Sequence, residues 1–124
     1  MVVNFKTYPE STGERAVRLA KIIEQVAQDY SASVAVCPQH ADIYRVSKEV
    51  SIPVLAQHVD PLKPGRNTGW VTPASVKAAG AVGTLINHSE HKIPHDQVKQ
   101  VVDLCRSEEL VTIACTADVE ESKG

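Results

Sequence analysis

The chain lacks a charge imbalance, a long apolar run and a paired cysteine framework. A net charge of -2 leaves no basic footprint for nucleic acid or an anionic membrane. No apolar stretch approaches the roughly 20 residues that a membrane span needs. The N-terminus lacks the charged and apolar regions of a secretion signal. Cys37, Cys105 and Cys115 are odd in number, widely spaced and free of any CxxC pair. That pattern fits neither a disulfide framework nor a zinc knuckle, and a reducing cytoplasm is the expected compartment. There is no low-complexity tract and no sign of a second domain.

What is present reads as one ordinary globular domain over residues 1–124, with 43% hydrophobic and 23% charged residues. Short β-branched runs at 2–5, 34–37, 54–57, 81–86 and 111–115 predict five strands. Three of them, 34–37, 81–86 and 111–115, are nearly continuous apolar runs, as in parallel strands buried on both faces. Ser11-Thr12-Gly13-Glu14 has the pattern of a capping box. Behind it, Ala16, Leu19, Ala20, Ile23, Val26, Ala27 and Tyr30 form one apolar helical stripe. A shorter helix fits 41–50, stopped before Pro53. Thr72-Pro73 opens a third that Gly80 closes. Pro94 opens a fourth with the stripe Val98, Val101, Val102 and Cys105, and residues 120–124 begin a fifth. The strict β-α alternation predicts an α/β fold of parallel strands joined by crossovers. The longest irregular segment is the loop at 60–70.

In such folds function collects at the C-terminal ends of the strands. Those tips read Asn4-Phe5-Lys6, Gln39-His40, Gln57-His58, Asn87-His88-Ser89-Glu90 and Cys115-Thr116, whereas the strand starts are small or apolar. Asn4 and Lys6, two apart, are expected to enter the same space, where an anionic substrate would partner the lysine. The bland alternative is a surface lysine. His88 is open to four readings: proton transfer, polarisation of a carbonyl, metal binding or a satisfied core position. Ser89 and Glu90 are expected to start a short helix whose free N–H groups favour a neutral imidazole. Metal binding through His88, His91 and His95 would need a regular helix, which Pro94 interrupts. Gly65-Arg66-Asn67-Thr68-Gly69 lacks the Gly-Lys-Ser/Thr ending of a phosphate loop and reads as a projecting, docking loop. The cysteines read as small core residues.

Taken jointly, these motifs resemble the triose-phosphate isomerase family along the whole chain. Asn4-Phe5-Lys6-Thr7-Tyr8 is similar to its first-strand motif and Asn87-His88-Ser89-Glu90 to its fourth, where the family usually has Gly at the position of Asn87. Gly65 to Gly69 is similar to its dimerisation loop, and Val111 to Cys115 to its fifth strand. Ala56-Gln57-His58-Val59-Asp60-Pro61 looks most like the short archaeal branch. The resemblance implies a (β/α)8 barrel of which strands 1–5 are present, and an activity interconverting dihydroxyacetone phosphate and D-glyceraldehyde 3-phosphate. It implies that Asn4 and Lys6 bind substrate, that His88 is the electrophile, that Ser89 and Glu90 support the site, and that Thr68 reaches a neighbouring subunit. The pairing of a neutral histidine with a glutamate base is a known property of this family. Neither cofactor nor metal is implied; the partners implied are a phosphorylated triose and further copies of the chain.

The family's base follows strand six and its phosphate-gripping groups follow strands seven and eight. Glu108, Glu109, Glu120 and Glu121 are not in that base's motif context. Because a full barrel takes about 250 residues, the chain is expected to act poorly or not at all alone. Two other architectures compete: a self-contained flavodoxin-like domain that binds a phosphorylated ligand, and a half-barrel that assembles with itself.

Overall fold

The computed structural model describes residues 1–114. The expected start of a fifth helix, Cys115, Thr116, Glu120 and Glu121 lie outside them. Five strands alternate with four helices: β1 (Val2–Asn4), α1 (Glu14–Asp29), β2 (Ala35–Cys37), α2 (Ile43–Glu49), β3 (Leu55–Ala56), α3 (Pro73–Ala79), β4 (Gly83–Ile86), α4 (His95–Ser107) and β5 (Val111–Ala114). Every pairing is parallel: β1 with β2, β3 with β4, and β4 with β5. A single parallel bridge, Val36 to Val54, joins the two sets. The spatial order therefore follows the chain. A flavodoxin-like sheet would seat β1 between β2 and β3; here β2 takes that place, as in successive units of a barrel.

Alternation along the strands divides the core. Val36, Val54, Ala56 and Ile86 face the helices, where they pack with Ala16, Ala20, Ile43, Val46, Val76 and Val101. Cys37, Leu55 and Leu85 face the other way and meet Ala35 and Ile113. This two-residue period is what a pleated strand imposes. Gly83 is required by crowding: a Cβ there would collide with the Val111 carbonyl of the adjoining strand.

Helix α3 matches its sequence signals closely. Thr72 Oγ1 accepts from Ser75 N at 3.1 Å, Pro73 sits in the first turn, and Gly80 ends the helix at φ +113°. A Cβ on Gly80 would also strike Ser47. The start of α1 differs from expectation. Ser11 does not cap it, because its hydroxyl donates to the Phe5 carbonyl at 2.6 Å and to that of Tyr8. The N-cap is Gly13 at φ +64°, and its N–H donates to Asp42 Oδ2 at 3.0 Å. The stripe of α1 is also narrower than expected: Ala16, Ala20 and Ala27 are buried, but Val26 is 50% and Tyr30 80% exposed. Strand β5 is not buried on both faces; Val111 is 60% exposed, since β5 pairs with β4 and no second partner is seen among the described residues. The stripe of α4 is as expected, with Val101 and Cys105 fully buried and Val98 and Val102 packed against the core. Burial pushes the Cys105 thiol up to about 11, which keeps it protonated and inert. No described helix is long and apolar enough to cross a membrane.

Candidate active site

Residues from the ends of β1, β3 and β4 and from the loop after β3 enclose an open cavity of about 640 Å³. Its wall includes Asn4, Lys6, Gln57, His58, His88 and Glu90, so the strand tips singled out in the sequence converge. Thr68 and Ser89 do not line it, and both are exposed. The rim adds Tyr8 and Trp70, whose aromatic rings are largely solvent-exposed.

Asn4 and Lys6 reach the cavity by a different route from simple strand alternation. Lys6 lies beyond β1 at φ +53°, a left-handed conformation that costs a non-glycine residue about 1–2 kcal/mol. Two hydrogen bonds hold it there. Asn4 Oδ1 accepts from the Lys6 N–H at 2.9 Å, and the Gln57 amide donates to the Lys6 carbonyl at 2.9 Å. The same Gln57 amide also donates to the Cys37 carbonyl at 3.1 Å, tying three strand ends together. Lys6 Nζ stands 3.6 Å from Glu90 Oε1, with both side chains more than a third exposed.

His88 follows Asn87, which leaves β4 at φ +59°. Asn87 Oδ1 accepts from Ile93 N at 3.0 Å and braces the loop. No helix starts at Ser89; residues 88–91 form a turn closed by His91 N donating to the His88 carbonyl at 2.8 Å. Within the turn the Glu90 N–H donates to His88 Nδ1 at 3.0 Å. A donor aimed at Nδ1 requires a lone pair there, which puts the proton of the neutral ring on Nε2. In place of the expected helix start with its free N–H groups, a single amide of a turn faces the ring. The 3.8 Å approach of Glu90 Oε1 to the same Nδ1 adds no hydrogen bond, because neither atom then carries a proton.

A second group forms around His58: the sequence marks His40 and His58 as strand tips, but not their contacts with Asp60 and His91. His58 is 5% exposed and its Nε2 bonds Asp60 Oδ1 at 2.8 Å. Asp60 is fixed in turn: its Oδ2 accepts from Val71 N and its own N–H donates to the Val71 carbonyl. Burial pushes His58 below its ordinary 6.5, against the opposing pull of Asp60, so the ring is neutral with its proton toward Asp60. Its Nδ1 is buried without a partner. The His91 ring stacks on it with centroids 3.6 Å apart and planes 13° apart. His40 Nε2 donates to the His58 carbonyl at 2.5 Å. The available signal was an Asp two residues after a strand-end His; the His91 stack, 33 positions away, has no local signature.

The family model for triosephosphate isomerase matches residues 1–124. The chain is 49% identical over its full length to a triosephosphate isomerase of Methanobacterium bryantii, covering 55% of that protein. It is 47% identical over 122 residues to that of Methanothermus fervidus, covering 98% of this chain and 55% of the relative. It thus spans about half the length of the curated relatives it matches. A crystal structure of triosephosphate isomerase from Bartonella henselae shares the fold with a TM-score of 0.80 at 22% identity, over 99% of this chain and 54% of the other. With the family's strand tips assembled around one cavity and its sequence model matched from end to end, the chain belongs to the triosephosphate isomerase family.

Proposed function

We propose that this chain supplies the electrophile and anion-binding part of a triose-phosphate isomerase site. The observation that carries it is the Glu90 N–H bond to His88 Nδ1, which leaves an Nε2–H to polarise a carbonyl. In this reading His88 donates to the carbonyl oxygen of dihydroxyacetone phosphate while a base removes a proton from C1. The resulting enediolate is reprotonated at C2 to give D-glyceraldehyde 3-phosphate. Asn4 and Lys6 bind the substrate, with Lys6 offsetting its negative charge. Glu90 holds the Lys6 ammonium, and Ser89 supports the turn.

Among the described residues, the two carboxylates that line the cavity are both engaged: Glu90 near Lys6, and Asp60 with His58 and Val71. Neither is free to act as the base, so the base is expected from further barrel units. Oligomerisation of the intact enzyme, with Thr68 reaching a neighbouring subunit, and a cytoplasmic location belong to the same proposal.

The test is an NMR titration of the chain with dihydroxyacetone phosphate, beside a coupled isomerase assay. Binding should shift the His88 ring and the Lys6 and Asn4 amides, with turnover near background. Lys6→Met should weaken binding about tenfold, the scale of one hydrogen bond to a charged group. An unmoved His88 at saturating ligand would sink the reading; near-family turnover would overturn the requirement for an added base.

A further inference from the structure

The turn at 88–91 carries both His88 and Glu90, yet its own hydrogen bonds are few. The His91 N–H to His88 carbonyl bond closes it, and the Glu90 N–H to His88 Nδ1 bond sets the imidazole. The turn is exposed at Ser89, Glu90 and His91. Asn87 braces the loop beyond it through Ile93 N, Lys6 pairs with Glu90, and His91 adds a contact of its own outside the turn. His91 stacks nearly parallel on the buried ring of His58.

His58 is well suited as such a platform. Its Nε2 is tied to Asp60, and Asp60 is tied by three hydrogen bonds to His58 and both backbone groups of Val71. The His58 carbonyl is held separately by His40. The ring therefore has little freedom to turn. Its Nδ1 goes without a partner, although a buried unpaired polar atom costs about 1–3 kcal/mol. An aliphatic side chain would fill the same core without that cost, but would offer His91 no flat face.

We propose that the His58–His91 stack is a positioning device for the electrophile: His58, oriented by Asp60, fixes His91, and His91 fixes the turn that aims the Glu90 N–H at His88 Nδ1. His58 and His91 are positioning residues here, acting through the turn. The inference rests on the isomerase reading only in treating His88 as the reacting group.

The test uses His91→Ala, which removes the stack from its exposed side, and His91→Phe, which restores a flat ring. Two signals are read by NMR on the ligand-free chain: hydrogen exchange of the Glu90 amide and the Nδ1 nitrogen shift of His88. His91→Ala should speed Glu90 exchange roughly tenfold, as in a local opening, and move the Nδ1 shift. Core amides of β4 and α4 should keep wild-type protection, which separates positioning from general destabilisation. His91→Phe should return both signals toward wild type. Unchanged signals in His91→Ala, a general loss of core protection, or no recovery in His91→Phe would each overturn the proposal. Because no ligand or turnover is involved, its failure is distinct from a failed dihydroxyacetone phosphate titration.

Discussion

Two side chains at the site adopt backbone conformations that residues with a Cβ usually avoid. Lys6 and Asn87 are both left-handed, and each stands just past a strand end. Asparagine tolerates that region better than most residues, which explains how it occupies a position where the family usually has Gly. It also does what Gly cannot, accepting from Ile93 N through its side chain. Asn87→Ala should therefore cost about 1.5–3.5 kcal/mol, from the left-handed penalty plus the lost bond. Asn87→Gly should cost less, since glycine adopts the left-handed conformation without a steric penalty. Urea unfolding of both variants checks the order; an equal loss would show that the backbone conformation is not the deciding factor. At this scale the sequence was informative about identity and less so about geometry. Asn4, Lys6 and His88 were legible as strand tips facing one space. The left-handed turn at Lys6 was not, because it depends on Gln57, a residue 51 positions away.

Elements whose signals are local were legible, and those whose ends are held by distant groups were not. The cap, first-turn proline and closing glycine of α3 all lie within its own few residues and were readable in full. For α1 the same kind of pattern misled. Ser11 has the right spacing for a capping box, but a carbonyl six residues earlier captures its hydroxyl. The start of α1 is instead served by Asp42, a buried carboxylate 29 positions on, just before α2. Asp42→Ala leaves the Gly13 N–H unpaired and should cost about 1–2 kcal/mol, with Asp42→Asn retaining most of it. Hydrogen exchange at the first turn of α1 should rise in the alanine variant before that of α4 does. Uniform loss across both helices would indicate a global effect and not a lost cap. The short strands follow the same logic: apolar runs were found, but pairing trimmed their ends, as at β3, where two of four expected residues form the ladder.

For the whole molecule, burial of a neutral histidine ties stability to pH. His58 packs where Asp60, His91 and His40 all face it, and burial outweighs the help from Asp60. Its folded pKa lies below the unfolded 6.5, so above that pH both states hold the ring neutral and its stabilisation is complete. As pH falls below 6.5 the unfolded chain takes up a proton that the native state refuses, and stability is lost until the native ring also titrates. Glu24 works in the same direction at lower pH. The Ser51 backbone N–H, 2.6 Å from its carboxylate, holds it below the usual carboxylate value of 4.5, a contribution lost as that group protonates. The two windows are separable by substitution. In His58→Phe the fall in urea midpoint between pH 8 and pH 5.5 should be smaller than in the wild-type chain, while the acid loss below the carboxylate range stays. Glu24→Gln should do the reverse. If His58→Phe keeps the full wild-type slope between pH 8 and pH 5.5, the loss in that range comes from the other histidines, and the neutral His58 that supports the stack with His91 is not what the fold protects.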